Sequence, residues 1–120
     1  MKKKKILLVD DEIDFKAMLT MRLRANNYDV VTAANGTEAL EQVKKEKPDG
    51  VLLDIMMPEI DGLAVLKKIR EVDQLLPVFM ITSFSNEARF AQANALNATG
   101  YIVKTSDLKE EVKKIKAIVG

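Results

Sequence analysis

The sequence predicts an α/β fold in which a doubly wound parallel sheet of five strands carries helices on both faces, a (βα)5 arrangement. Apolar runs of strand length alternate five times with amphipathic stretches of helix length. The apolar runs are short and continuous, which is typical of parallel strands buried on both faces. The 120 residues contain no linker, repeat or low-complexity segment, so we expect one domain over residues 1–120.

Apolar runs and helix signals define the first two strand–helix units. Residues 6–9 are predicted to form the first strand, and a helix follows over about residues 14–26. Residues 28–33 form the second strand, and Asn35 caps a second helix that runs to about Lys45. The inward faces of these two helices are predicted to carry Phe15, Met18, Leu19, Arg22, Leu23, Ala39, Leu40 and Val43.

The remaining three units follow the same pattern. Residues 51–53 form the third strand, and the loop 56–62 ends in the turn signal Asp61-Gly62 before the third helix. Residues 78–81 and 101–103 form the last two strands, and the helix between them opens within residues 85–87 and closes at Leu96-Asn97. Thr105 or Ser106 is expected to cap the last helix. The inward faces are predicted to carry Leu63, Val65, Leu66 and Ile69 in the third helix and Leu108, Val112, Ile115 and Val119 in the last.

Composition excludes several classes of chemistry. Cysteine and histidine are both absent, which excludes thiolate metal sites, disulfides, Ser-His-Asp and Cys-His nucleophile pairs, and a phosphohistidine carrier. The net charge is +1, so we expect no direct binding to nucleic acid. The lysines at residues 2–5 are interpreted as the solvated start of a strand, because the apolar run after them is too short for a signal peptide or a membrane span. We therefore expect a cytoplasmic protein without a membrane segment.

Polar side chains follow four of the predicted strands directly: Asp10, Asp11, Asp54, Thr82 and Lys104. The carboxyl ends of parallel strands lie at one edge of a sheet, where open α/β sheets bind ligands. The leading topology is the flavodoxin-like strand order 2-1-3-4-5, whose switch point between strands one and three would bring the three aspartates together. Each residue alone has a structural explanation as a cap, a strand residue or a solvated lysine, but their conjunction favours a functional site.

Three carboxylates at one point repel each other unless a cation lies between them. Such hard oxygen ligands suit Mg²⁺, which typically binds one or two carboxylates together with phosphate oxygens. Lys104 and Thr82 would supply a cation and a hydroxyl donor for an anion beside the metal. These groups suffice for phosphoryl transfer, with Asp54 as the natural nucleophile because carboxylates form aspartyl phosphates.

Four segments resemble the receiver domain of bacterial two-component response regulators, and together they extend over essentially the whole chain. They are VDDE at residues 9–12, LLDIMMPEIDG at 52–62, VFMITS at 78–83 and YIVK at 101–104. The likeness is to a stand-alone receiver of the chemotaxis-regulator kind. If the sequence is complete, no output domain follows, and the output must be recruitment of another protein.

The resemblance implies that Asp54 is the phosphoacceptor and takes its phosphoryl group from a sensor histidine kinase or a histidine phosphotransfer protein. It implies that Asp11, Asp54 and the backbone carbonyl of Met56 bind Mg²⁺ directly, and that Asp10 acts through a metal-bound water. The domain would catalyse only its own phosphorylation and a slow dephosphorylation, so it is not an enzyme in the usual sense.

The resemblance also implies a two-state switch. Lys104 would pair with the phosphoryl oxygens, while Thr82 and the amide of Ser83 would donate hydrogen bonds to them. Tyr101 would change rotamer as Thr82 moves inward, and the surface formed by the fourth helix, fifth strand and fifth helix would then change. We expect this surface to recruit an unidentified downstream protein, with the domain a monomer or weak dimer. A half-buried aromatic at a sheet edge is the structural alternative for Tyr101.

Three departures from the family pattern carry predictions. The family usually has a cis proline after the lysine, but Thr105 stands here, and a cis bond before a non-proline residue costs ~2.5–4 kcal/mol; we expect a trans bond. Asn97 replaces the usual glycine after the fourth helix and should tolerate left-handed geometry. Met56 and Phe84 occupy positions that in this family flank the route of hydrolytic water, and neither side chain can orient a water by hydrogen bonding, so we expect slow self-dephosphorylation.

Two other functional classes remain open. A haloacid-dehalogenase-like phosphatase also uses an aspartate nucleophile after a buried strand, but its motif has a second acid where Met56 stands. A phosphorylation-independent receiver-like interaction module would usually lack one of the acidic, threonine or lysine positions, all of which are present.

Overall fold

The computed structural model describes residues 3–83 and 87–120, and their strands and helices alternate as the sequence predicts. The strands are β1 (Lys5–Val9), β2 (Asp29–Ala33), β3 (Gly50–Asp54), β4 (Val78–Thr82) and β5 (Gly100–Val103). The helices are α1 (Ile13–Ala25), α2 (Gly36–Glu46), α3 (Gly62–Val72), α4 (Glu87–Ala95) and α5 (Leu108–Val119).

The five strands form one parallel sheet in the order β2-β1-β3-β4-β5, which confirms the predicted flavodoxin-like topology. The pairing places Val9 opposite Leu53, Asp54 opposite Ile81, and Thr82 opposite Val103. The carboxyl ends of β1, β3, β4 and β5 therefore lie side by side.

The sheet separates two apolar clusters. Buried residues of α2, α3 and α4 pack on one face, with Leu66 and Ile69 among them. Buried residues of α1 and α5 pack on the other, with Leu19 and Ile115 at its centre. Removing this apolar surface from water stabilises the fold by roughly 25 cal/mol per Å². The two clusters therefore bury both faces of the sheet, and the polar side chains lie at the carboxyl ends of its strands.

The predicted inward face of α1 is wrong at two residues. Met18 and Arg22 lie on the exposed side of α1, because the row in contact with the sheet is Phe15, Leu19 and Leu23, spaced four residues apart. The residue before each member of such a row points about 100° away around the helix. The other inward faces are confirmed, with Leu40 and Val43 half-buried.

The cap of α5 also differs from the prediction. Asp107, and not Thr105 or Ser106, precedes the helix, and its side chain accepts a hydrogen bond from the Lys109 amide at 3.0 Å. The Ser106 amide donates to the Val103 carbonyl at 3.0 Å, so the chain is still turning at Ser106 and the helix begins later. Asn35 caps α2 as predicted, by accepting from the Glu38 amide at 2.9 Å.

The start of β1 and the end of α5 lie at the amino-terminal edge of the sheet. The Lys4 ammonium donates to the Val119 carbonyl at 2.7 Å, and Val119 packs against Gly50 at the start of β3. Within residues 3–83 and 87–120, no helix combines the length and apolarity needed to cross a membrane.

Candidate phosphoryl-acceptor site

An ammonium group lies among three carboxylates at the carboxyl edge of the sheet. The Lys104 ammonium is 2.8 Å from Glu12 Oε1, 3.0 Å from Asp10 Oδ2 and 3.4 Å from Asp54 Oδ2. Asp10 follows β1, Asp54 ends β3 and Lys104 follows β5. The register therefore brings together residues that are far apart in the sequence, as predicted.

The two buried aspartates are oriented by backbone amides two residues further along the chain. Asp10 Oδ1 accepts from the Glu12 amide at 2.8 Å, and Asp54 Oδ1 accepts from the Met56 amide at 3.1 Å. Such local hydrogen bonds are typical of aspartate where a strand turns into a loop. Each carboxylate keeps its second oxygen directed to the Lys104 ammonium.

Gly62 allows the loop after β3 to return tightly against the acidic site. Its amide donates to the Ile55 carbonyl at 2.8 Å. A Cβ added at Gly62 would lie 2.1 Å from the Asp54 carbonyl oxygen and 2.8 Å from Ile55 Cα. Any side chain there would displace the backbone that carries Asp54, so the Asp61-Gly62 signal serves the site as well as the turn.

Burial raises the pKa of Asp54 from 3.8 to about 7, and the negative charge of nearby Asp10 adds to the rise. The Lys104 charge and the Met56 amide lower the pKa but do not cancel the effect. Asp54 has only 4% of its surface exposed, and Asp10 is fully buried. Without a further cation, the Asp54 carboxyl is therefore only partly ionised near neutral pH.

Burial lowers the pKa of Lys104, but its acidic partners reverse that effect. Hydrogen bonds to Glu12 and Asp10, together with the charges of Asp54 and Asp10, leave the pKa above its ordinary value. The Lys104 nitrogen also lies 4.9 Å from the centre of the Phe15 ring, within range for a cation–π contact. The lysine is thus a fixed positive charge.

The acidic groups fit a divalent cation. Carboxylate oxygens of Asp10, Asp11 and Asp54 lie within 4.8 Å of one another. Asp10 Oδ2 is buried and has no hydrogen-bond partner among the described residues, although it contacts the Lys104 charge. Asp11 is exposed, so it can approach an ion without disturbing the core. An all-oxygen donor set with an unsatisfied buried oxygen suits a hard ion such as Mg²⁺.

The other predicted site residues lie around this cluster. Thr82 is buried at the end of β4, and its carbonyl accepts from the Lys104 amide at 2.8 Å. Ser83 is exposed just beyond it. Met56 has 63% of its surface exposed, so most of its side chain is in solvent. Phe84 lies outside the described residues.

Tyr101 connects β5 to α4. Its hydroxyl proton lies between two acceptors, the Phe90 carbonyl oxygen at 2.9 Å and Asn94 Oδ1. Its ring packs against the Phe90 ring with centroids 4.4 Å apart, and the residue is half-buried. These contacts link the strand that leads to Lys104 with the helix on the neighbouring surface.

Two departures noted in the sequence have clear structural outcomes. The Lys104–Thr105 peptide bond is trans, as predicted. Asn97 has a φ of 62°, so it adopts the left-handed conformation predicted at the end of α4.

Sequence reasoning missed two contacts of Lys104. Glu12 makes the shortest of its ion pairs, and Phe15 lies against its ammonium group. Glu12 is next to Asp10-Asp11 in the sequence, but the direction of a side chain in a loop cannot be predicted from the sequence. The helical spacing predicts Phe15 in the core, which the structure confirms, but periodicity gives no sign that its ring reaches the site.

A family model and curated relatives both match this chain over most of its length. The family described as "Response regulator receiver domain" matches residues 6–116. The alkaline phosphatase synthesis transcriptional regulatory protein PhoP of Bacillus subtilis is 38% identical over 116 residues, covering 97% of this chain and 48% of PhoP. The chain therefore spans about half the length of the curated relatives it matches.

Solved structures are similar over nearly the full chain. The chemotaxis protein CheY4 of Vibrio cholerae is 29% identical with a TM-score of 0.92, covering 98% of this chain and 99% of that one. The BeF3-activated N-terminal receiver domain of Klebsiella pneumoniae RstA is also 29% identical, with a TM-score of 0.91 and coverage of 97% and 98%.

Proposed function

The chain belongs to the response regulator receiver domain family, the phosphoacceptor signalling domains of two-component systems, and we propose that Asp54 is its phosphoacceptor. The single observation that carries this assignment is the contact of the Lys104 ammonium with two buried carboxylates, of which Asp54 is at the end of a central strand. A carboxylate beside a fixed cation at a sheet edge can accept a phosphoryl group and hold the product.

The phosphoryl donor is a phosphohistidine on a sensor kinase or a phosphotransfer protein. In the transfer, an Asp54 oxygen forms a bond to phosphorus while the bond from phosphorus to the imidazole nitrogen breaks, and the imidazole leaves with the electron pair. Asp54 must be ionised to attack, which its pKa of about 7 makes incomplete near neutrality without added positive charge. Because such donors are phosphorylated from ATP, we propose that this reaction takes place in the cytoplasm.

Asp11, Asp54 and the Met56 carbonyl would hold Mg²⁺, with Asp10 acting through water. The ion would supply positive charge to the Asp54 carboxylate and to the phosphoryl oxygens. Lys104 neutralises a second oxygen, and Thr82 and the Ser83 amide donate to the remaining ones. With these donors in fixed positions, catalysis is mainly orientation and charge stabilisation.

The output is a change of the surface formed by α4, β5 and α5. Tyr101 bonds to α4 in the present structure, so a new contact at Thr82 that alters the Tyr101 position would alter α4 too. We propose that this surface recruits a downstream protein and that the domain is a monomer or weak dimer without direct nucleic-acid contact. Light scattering with and without BeF3 and Mg²⁺ tests the oligomeric part, and a stable dimer in both conditions would contradict it.

The phosphoacceptor assignment is tested with acetyl phosphate and Mg²⁺, followed by intact mass measurement. We expect the mass gain of one phosphoryl group in wild type and in Asp29→Asn, a matched exposed aspartate control, and no gain in Asp54→Asn. A gain retained in Asp54→Asn would overturn the assignment. Fast release of inorganic phosphate without accumulation of the phosphorylated protein would instead indicate a haloacid-dehalogenase-like phosphatase, and no gain in any variant a phosphorylation-independent module.

A further inference from the structure

A buried carboxylate lies in α5 outside the acidic site. Glu111 has only 3% of its surface exposed, although its neighbour Glu110 is largely in solvent. Burial of a charged group is unfavourable unless the group is paired and hydrogen-bonded. The amphipathic pattern of α5 does not explain why a glutamate is buried at this position.

Both carboxylate oxygens of Glu111 have partners. Oε2 accepts a hydrogen bond from the Val103 amide at 3.0 Å, and Oε1 forms an ion pair with the Lys114 ammonium at 2.9 Å. The Lys114 side chain is 57% exposed, so this outer contact is screened by water. The inner hydrogen bond to Val103 is the one shielded by the fold.

Val103 lies at the end of an edge strand. Within the described part of the chain, β5 pairs only with β4, so alternate β5 amides point toward the sheet and away from it. The Lys104 amide points toward the sheet and donates to the Thr82 carbonyl at 2.8 Å. The Val103 amide points away from β4, and Glu111 takes the place that a further strand would occupy.

These contacts fix the backbone on both sides of the Lys104 attachment point. The Val103 carbonyl also accepts from the Ser106 amide, and no proline restrains the chain at Thr105. Hydrogen bonds therefore set where the Lys104 side chain leaves the strand. Because that side chain is long, a small rotation at β5 moves its ammonium relative to Asp10 and Asp54.

We propose that Glu111 is a positioning residue, which anchors the end of β5 through Val103 and thereby places the Lys104 ammonium for phosphoryl uptake. This inference rests on the proposed function, because its consequence is a rate of phosphoryl transfer. Glu111 itself touches neither the phosphoryl group nor the acidic cluster, and it acts through the strand.

Three variants separate this role from simple packing. Glu111→Met keeps the length of the side chain but has no acceptor, Glu111→Gln keeps an acceptor without the charge, and Glu110→Met is the matched surface control. With acetyl phosphate and saturating Mg²⁺, we expect Glu111→Met to take up the phosphoryl group about 10-fold more slowly, which is less than the roughly 100-fold that a 1 Å misplacement of reacting groups can cost. Glu111→Gln and Glu110→Met should stay near the wild-type rate.

Two further readouts identify the cause. Hydrogen exchange of the Val103 amide should be about 10-fold faster in Glu111→Met, while the Ile115 amide within α5 exchanges as in wild type. The Mg²⁺ dissociation constant should be unchanged, since the proposed ligands are on other strands. If Glu111→Met does not fold, Glu111→Ala carries the same comparison.

Distinct outcomes overturn distinct claims. A folded Glu111→Met protein with a wild-type rate, or a slow Glu111→Gln protein whose Val103 amide remains protected, would overturn the positioning role. A wild-type protein that takes up no phosphoryl group while its Val103 amide is protected would instead overturn the proposed function.

Discussion

Replacing Asp54 by asparagine should make the metal-free protein more stable above pH 7 and change it little near pH 4. The pKa of Asp54 rises from 3.8 to about 7 on folding. Between these values the folded state holds the proton more tightly than the unfolded state, so wild type loses stability as pH rises through this window. The asparagine side chain of the variant cannot ionise, so the variant escapes that loss.

The size of the effect follows from the pKa difference. About three pKa units correspond to about 4 kcal/mol of unfolding free energy, since one unit is about 1.4 kcal/mol. Relaxation of the loops and entry of water reduce this value, and we expect about 2 kcal/mol at pH 8. The asparagine oxygen can still accept from the Met56 amide, so the local turn is preserved.

Urea unfolding followed by circular dichroism in EDTA at several pH values measures the difference. Asp29→Asn, an exposed control, should change stability by less than about 0.5 kcal/mol. Mg²⁺ at 100 times its dissociation constant should stabilise wild type by about 2.7 kcal/mol and cancel the advantage of Asp54→Asn. A variant whose advantage is the same at pH 5 and pH 8, or which is less stable at pH 8, would refute the reasoning.

Three further predictions concern Tyr101, Asn97 and Met56. Tyr101→Phe should lower the unfolding free energy in urea by about 1 kcal/mol, because it removes the hydroxyl that bonds to Phe90 and Asn94; an unchanged value would show that this hydroxyl contributes no net stability. Asn97→Ala should destabilise by about 1 kcal/mol in the same assay because of its φ of 62°, whereas Asn97→Gly should not; equal effects would argue against backbone strain. Loss of label from phosphorylated wild type should take minutes or longer, and Met56→Asn should shorten the lifetime by admitting and orienting water; a wild-type lifetime of seconds would contradict the Met56 argument.

The acidic cluster could be predicted because its residues follow local apolar runs, and the strand order because the flavodoxin-like topology has a switch point where the three aspartates meet. A short apolar run ending in Asp10 or Asp54 specifies a buried strand and a polar end at once. Parallel connection through helices then places those ends at one edge. No knowledge of side-chain packing was needed for this step.

The missed features depend on three-dimensional packing. Met18 satisfied the helical spacing but lies outside the row that touches the sheet, because the docking angle of α1 is set by its neighbours. Glu111 follows Glu110 in an acidic first turn that reads as solvated, and only the open edge of β5 shows why it turns inward. The cap at Asp107 was missed because the turn after Lys104 runs further than its hydroxyl residues suggested.

The contact between Lys4 and Val119 has a consequence for how this fold can be joined to other chains. Both residues lie at the amino-terminal edge of the sheet, opposite the acidic edge. A segment attached at either end would leave the domain on the side away from Asp54. The same geometry makes a circular permutant feasible, since a short linker could join the ends while all five strand termini at the acidic edge stay as they are.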